Sequence, residues 1–568
     1  MSAFGLYRSS FGELFPVIAA LDIAVAGLLL GVAWILRARV LTPYNHLPCE
    51  RCNFHPSFTR TDHSSAPPGL SLKHDHSSLS LGKPYGSTWR EWFKTYGSTM
   101  LIRVAPYYRP VILTKDPSFI RHVFANINDF EGSPRFSKAF KLMGLNGALP
   151  GVHGERRQRI RAVYGRSASL AAMRAKFPQM LKVANKVKQE ISQASEVVNG
   201  QPFNPAPHVI AFQMGILSKI VFGFTDEEIV NGKPKEFQDI LAEYLKSRQS
   251  LRWWDLHTHR ILPSGRWRKH QHNRRCIANF GKRVLREKQA KITGAFGHDL
   301  KVEEIDEMGD DIITSWCRYN MANDIPENQK ISDEDLVDNV PLAIIATMDV
   351  SRLIDTEILH RLAISPDIQA RLRDELSALP DEPSLEDLSK VKYLEAFIEE
   401  IVRINNPYTT IERTCTRTSV VPLRDPIQMS NGKTVDSITV HAGTDVSVAV
   451  YQVAQDESLY GSDPEAFRPE RHLGGSCEKV DGGVALHAAW GSSVGFSGGG
   501  RGCPVYQFPL AFMRAFIFVM VRSFEISEPK DQNVEVWTHT VADIRQWKIN
   551  GKVATYIPTI FTPIIQDE

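Results

Sequence analysis

The sequence predicts one large, mostly α-helical domain with small β-sheets, carried behind a single N-terminal transmembrane helix. Three observations lead there. Residues 15–36 form a continuous apolar run, and stripes of apolar residues at helical spacing dominate the chain after residue 84. Runs that alternate polar and β-branched residues are few and short, and they gather in the C-terminal third. With 568 residues, 43% hydrophobic and 23% charged, the chain can bury an extensive core.

The anchor is read from Phe15 to Leu36, which holds one charge, Asp22. At about 1.5 Å per residue such a helix spans the roughly 30 Å hydrocarbon layer. Arg37 and Arg39 follow it directly, so the positive-inside bias places the long C-terminal part in the cytosol. Asp22 costs about 2.5–3.5 kcal/mol if central, which weakens the anchor without reversing it. A cleaved signal peptide would need a shorter apolar region with a small-residue cleavage site after it, and the stretch from Trp34 to Val40 is not one.

Residues 37–83 read as a linker rich in Ser, His and Pro. Inside it, His46, Cys49, Cys52 and His55 recur every third residue, all types that bind zinc, but no second pair lies at the usual distance. Residues 84–568 read as the catalytic domain, without repeat or further linker. Asp116 caps a helix opened by Pro117, Ser365 does the same before Pro366, and Leu394, Phe397, Ile398 and Ile401 line one helix face. Ile438 and Val440, then Val446, Val448 and Val450, predict a hairpin about the His441–Asp445 turn.

The net charge of +3 is near balance and no Lys/Arg block suggests a polyanion groove, which argues against nucleic acid as a partner. Seven scattered cysteines, an odd number, argue against a disulfide framework. One of them stands out. Cys503 ends the stretch Phe496-Ser-Gly-Gly-Gly-Arg-Gly-Cys, where glycines would expose the sulfur and turn backbone N–H groups toward it. Taken alone, that loop fits a metal thiolate, a phosphate cradle, or a surface turn with a free thiol. The phosphate reading lacks the Lys-Ser/Thr that such loops need.

Phe496, Gly499, Arg501 and Cys503 resemble the haem-binding loop of the cytochrome P-450 family, Phe-x-x-Gly-x-Arg-x-Cys. Upstream, in the family's order, Glu400-Ile-Val-Arg403 looks like its Glu-x-x-Arg helix motif, and Phe467 to Arg471 looks like the segment that completes a Glu–Arg–Arg network. The resemblance covers residues 84–568. It implies a haem b whose iron takes the Cys503 thiolate, a push of electron density that favours O–O cleavage. It also implies that Arg501, Arg413 and Arg159 hold the haem propionates, while Glu400, Arg403 and Arg471 form a structural network. Where the family often has Trp or His, this chain has Glu155, so one propionate donor is expected to be missing.

On the distal side the chain departs from the pattern. The family's Ala/Gly-Gly-x-Asp/Glu-Thr-Thr/Ser is here Ala346-Thr347-Met348-Asp349-Val350-Ser351, with valine at the position of the hydroxyl that normally orients water. Thr347 and Asp349 become the candidates for moving protons, although Thr347 could equally bond a backbone carbonyl. Val505, in place of a glycine, is expected to crowd the haem, and Pro509 to enter the following helix early. The resemblance further implies a monooxygenase acting on an apolar small molecule, with electrons from NADPH through a separate flavoprotein reductase. It implies the cytosolic face of the endoplasmic reticulum, with the anchor in the lipid bilayer. Two alternatives share the fold: a reductase-independent isomerase or dehydratase, and a non-enzymatic haem-binding protein.

Overall fold

The computed structural model of the protein describes residues 83–104, 109–142, 145–250, 263–296, 311–406, 408–429, 432–474, 486–538, 545–554 and 556–564. The expected anchor, the linker up to residue 82 and the His46/Cys49/Cys52/His55 group lie outside the described residues. Among the described residues no helix is long and apolar enough to cross a membrane.

The helices that build the site are α1 (Pro117–Ala125), α2 (Gly154–Ser167), α3 (Leu170–Val197), α4 (Ala206–Ile216), α5 (Asp333–Ile345), α6 (Ser351–Ile364), α7 (Pro366–Ser377), α8 (Lys392–Ile404) and α9 (Gln507–Ser523). A π-helical turn, Ala346–Val350, joins α5 to α6. Helix α9 is apolar apart from Gln507, Arg514, Arg522 and Ser523, so it must be enclosed, and all residues from Leu510 to Val521 are buried. Phe212 of α4 packs on Phe516 with ring centroids 4.8 Å apart. The polar side of α9 is tied down by Arg514, whose Nε and Nη2 each donate to Glu395 of α8 at 2.6 Å.

Among the described residues the strands form four small sheets. In the largest, β1 (Thr99–Val104), β2 (Arg109–Thr114), β7 (Asp445–Ala449), β4 (Thr410–Cys415) and β3 (Phe130–Gly132) lie in that spatial order. The others are β5 (Ser419–Gln428) with β6 (Thr434–Val440), β8 (Phe524–Ser527) with β12 (Ile560–Pro563), and β9 (Val534–Thr538), β10 (Arg545–Ile549) and β11 (Lys552–Ala554). Pairing of β3 with β4 sets Gly132 opposite Arg413, which carries that arginine toward the site.

Several expectations hold in detail. Asp116 accepts from the Phe119 N–H at 3.0 Å and caps α1, and Leu394, Phe397, Ile398 and Ile401 are all fully buried. Two need correction. Ser365 precedes α7 without a side-chain cap bond. The strands around His441–Asp445 do not pair with each other: β6 joins β5, while β7 runs parallel to β2 and antiparallel to β4. The reason is burial. Every residue of β7 is covered, so it serves as a central strand with neighbours on both sides, whereas β6 alternates and stays at the edge.

Candidate functional site

The loop before α9 is held by its own backbone. Cys503 N–H donates to Phe496 O at 2.9 Å, Gly502 N–H to Gly499 O at 3.0 Å, and Gly499 N–H to His487 O at 2.9 Å. Gly499 has φ +59°, and a Cβ there would sit 1.8 Å from the Phe124 carbonyl oxygen, so only glycine lets the loop press on the end of α1. The result is a half-buried Cys503 thiol. Burial pushes its pKa up, opposed by the Val505 N–H and the nearby Arg161 charge. One backbone donor, the Val505 N–H, therefore faces the sulfur. Pro509 falls in the first turn of α9, where no backbone donor is lost.

Beside the thiol stands a cluster of arginines. Arg413 is 7% exposed, donates to Ser497 Oγ and to its neighbour's carbonyl, both at 2.9 Å, and lies over the Phe124 ring. Arg157, 6% exposed, donates to Gly500 O at 2.7 Å. Arg501 donates to Glu131 and lies 3.0 Å from His153 Nδ1, while its buried Nε has no partner among the described residues. Arg161 donates to Gly502 O. Burial, then repulsion from Arg501 and Arg157, pulls Arg413 down to about 9; burial with repulsion from Arg501 and Arg161 takes Arg157 to about 10. Three guanidiniums share one carboxylate, Glu131. Such an excess of buried positive charge, with an orphaned N–H, fits a dianionic ligand lying next to the thiol.

The sequence placed Arg159 in this group, and the structure does not. Its side chain is 32% exposed, 4.0 Å from Glu155 and within 3.4 Å of Asn328 O. Arg157, Ile160, Arg161 and Tyr164 follow the i, i+3, i+4, i+7 stripe that faces the core, and Arg159 is turned away from it. His153, four residues before Arg157, was also missed. His153 and Arg157, two residues to either side of Glu155, are the polar side chains this helix brings to the arginine cluster.

Behind the loop, Glu400 is fully buried and saturated. Arg403 grips it at 2.7 and 2.8 Å, Arg471 Nε donates at 3.0 Å, His472 Nε2 lies at 2.9 Å and the Arg468 N–H at 2.8 Å. Burial alone would raise its pKa, but the Arg403 and His472 hydrogen bonds hold it at about 2. Arg403 and Arg471 spend their remaining donors on the carbonyls of Ala454, Tyr460, Asp463, Pro464 and Ala466. His472 is the member the sequence did not reveal.

On the distal helix, Thr347 is buried and its hydroxyl donates to Ala343 O at 2.7 Å. Asp349 belongs to the π turn, and its side chain lies outside the described residues; Val350 is partly exposed. One turn further, Asp355 is fully buried against Gln213 of α4. The Gln213 amide donates to Asp355 Oδ2, while Gln213 Oε1 and Asp355 Oδ1 are both buried without a partner among the described residues. A proton on Asp355 would close that second bond, and burial pushes its pKa up to about 8.

A cysteine thiol on a glycine loop, next to uncompensated buried guanidiniums and backed by a saturated Glu–Arg–Arg network, defines a haem-thiolate protein. The family model for cytochrome P-450 matches residues 67–546. The chain belongs to that family, whose members bind haem through a cysteine thiolate and act as oxidoreductases. Among curated proteins it is 26% identical over 447 residues to cytochrome P-450 monooxygenase 205 of Postia placenta, covering 76% of this chain and 80% of that protein. It is 29% identical over 248 residues to a ganoderic acid synthetase of Ganoderma lucidum, covering 42% and 45%. A retinoic-acid-bound cyanobacterial cytochrome P-450 superposes with TM-score 0.60 at 19% identity, covering 85% of this chain and 98% of that one, which establishes the fold.

Proposed function

We propose that this monooxygenase takes Cys503 as the iron ligand and inserts one oxygen atom from O2 into an apolar small molecule of secondary, lipid or terpenoid-type metabolism. The observation that carries the reading is the pairing of a half-buried thiol with two buried arginines, Arg413 and Arg157, and a partly buried third, Arg501, that have one acid between them. When bound, the haem supplies the activation of oxygen at a thiolate-ligated iron. The chain does the rest. Arg413, Arg157 and Arg501 hold the propionates, with His153 and Arg161 at the rim, and the Glu400 network keeps α8 and the Cys503 loop in register. Phe496 and Gly499 close the loop through their carbonyls. Thr347 keeps its proton on Ala343 O, so it can accept a hydrogen bond from the distal space, leaving Asp349 as the proton carrier.

Electrons come from an NADPH-dependent flavoprotein reductase, since the family generally draws on a redox partner. The apolar run at 15–36 supports a single-pass anchor with the catalytic domain on the cytosolic face of the endoplasmic reticulum, from which apolar substrates partition out of the bilayer. The relatives' names, a ganoderic acid synthetase among them, support secondary metabolism.

A second reading, a reductase-independent isomerase or dehydratase, draws on valine at position 350 and on the Thr347 hydroxyl bound to backbone. Reductant consumption tracked with product separates the two. For the ligand, the carbon-monoxide complex of the reduced Cys503→Ser protein is expected to lose the red-shifted Soret band of thiolate ligation; its persistence would end the assignment.

A further inference from the structure

Glu131, the middle residue of β3, meets Arg501 across 370 residues of chain. Three contacts fix the guanidinium there. Its Nη2 donates to Glu131 Oε2. His153 Nδ1, just before α2, lies 3.0 Å from the same nitrogen and 3.1 Å from the same carboxylate oxygen. The third contact is backbone. A Cβ at Gly132 would sit 2.5 Å from Arg501 Nη1 and 3.0 Å from its Cζ, so the guanidinium lies against β3 where a side chain would otherwise be. The His153 ring is steadied in turn by Ser137 Oγ, 2.9 Å from its Nε2.

These contacts use one end of the guanidinium and leave the other. Arg501 Nε is buried and has no partner among the described residues. Because the group is planar and rigid, fixing its two terminal nitrogens also fixes the direction in which Nε–H points. Glu131 acts here as a charged group: burial alone would raise its pKa, but the His153 and Arg501 hydrogen bonds hold it below the ordinary carboxylate value. Nor does its charge exhaust the cluster. Arg413, Arg157 and Arg501 carry three positive charges against this carboxylate, which leaves two, the number that two propionates neutralise. A dianionic ligand and Glu131 can therefore serve the cluster together.

We propose that Glu131 is a positioning residue for the haem: it anchors one nitrogen of Arg501 against β3 and so presents Nε of the same guanidinium to a propionate. The inference rests on the haem-thiolate reading above and adds to it a residue that acts on the haem only through Arg501. An unanchored Arg501 would keep its charge, but its long side chain would have to be ordered when the propionate binds, and the contact would be weaker by that entropy.

Transfer of haem from the ferric haem-loaded protein to an excess of a scavenging haem protein tests it, run beside the same measurement with haem dimethyl ester, which has no carboxylate to grip. Glu131→Ala is expected to release haem about tenfold faster than the wild type, and Glu131→Gln, which keeps an acceptor for Nη2, within about threefold of it. Glu131→Asp keeps the charge but draws it back by one methylene; it should follow Glu131→Ala, and it takes its place if that variant does not load haem. In an Arg501→Gln background, Glu131→Ala should add less than about twofold, because both act through one contact. With the ester, Glu131→Ala and the wild type should agree within about twofold, since the gripped charge is gone. Release from Glu131→Ala at the wild-type rate overturns the proposal. Slower release does so too, by showing that Glu131 competes with the propionate for Arg501. An equal acceleration with the ester, or additive effects in the double variant, would leave Glu131 a structural role only and end the proposal as well. A wild type whose reduced carbon-monoxide complex lacks the red-shifted Soret band would instead count against the haem-thiolate reading itself.

Discussion

Glu400 and Asp355 are both fully buried carboxylates, one behind the thiol loop and one in the distal helix, yet their pKa values move in opposite directions, to about 2 and about 8. Burial is common to both. The difference is the supply of donors: Glu400 receives two arginines, a histidine and a backbone N–H, while Asp355 receives one amide. The proximal side is thus over-determined and rigid, and the distal side retains polar groups whose partners are incomplete. A scaffold that must hold a metal ligand fixed needs the first arrangement. The second leaves room for protons to move, at a cost in stability.

The largest expected effect breaks the saturated side. Arg403→Ala removes both bonds that grip Glu400 and leaves a buried charge short of partners, which should cost about 3–5 kcal/mol. Thermal unfolding of the haem-loaded protein would show it. The pH dependence has a definite sign. The folded pKa of Glu400 lies below its ordinary value, so its contribution is present above about pH 4.5 and fades as pH falls toward 2. The wild type should therefore lose more stability on acidification than Arg403→Ala does.

The distal acid behaves in the reverse sense. The folded pKa of Asp355 lies above its ordinary 3.8, so unfolding releases a proton between about pH 4 and pH 8, and stability falls as pH rises through that window. Asp355→Asn removes the titration and can still form a two-bond amide pair with Gln213. It should be more stable than the wild type at pH 7, by at most about 4 kcal/mol, with the gap near zero at pH 4 and level above about pH 8. Melting curves across that range check it. A variant less stable than the wild type at pH 8 would show that Asp355 has a partner favouring its charged form.

Much of the proximal side could be read in the sequence because its chemistry is local. The Glu400–Arg403 spacing is fixed by one helical turn, and the loop from Phe496 to Cys503 closes through bonds within itself. What escaped reading depends on long-range packing. His472 meets Glu400 across 72 residues, and nothing about a histidine beside Arg471 announces it. Strands β6 and β7 look like a hairpin until the burial of both faces of β7 decides its neighbours. On the distal side, the substitution at Val350 was visible, but the Gln213–Asp355 and Trp547–Glu357 contacts join elements far apart in sequence and left no local trace.

Helix α2 shows the same limit within a single element, and it yields the smallest effect. Arginines at 156, 157, 159 and 161 blur the periodicity, so their number identifies a cationic helix without saying which members face the thiol loop. The apolar residues carry the phase: Ile160, Val163 and Tyr164 are buried, which turns Arg157 and Arg161 inward and Arg159 out. If that phase decides who holds the haem, two arginines only two positions apart should differ sharply. Transfer of haem to an excess of a scavenging haem protein should be about tenfold faster from Arg157→Gln, the loss of one charge-assisted contact, and within about twofold of wild type from Arg159→Gln. Equal rates for the two variants would mean that the propionates do not reach the buried face of α2, and the anion cradle would then shrink to Arg413 and Arg501.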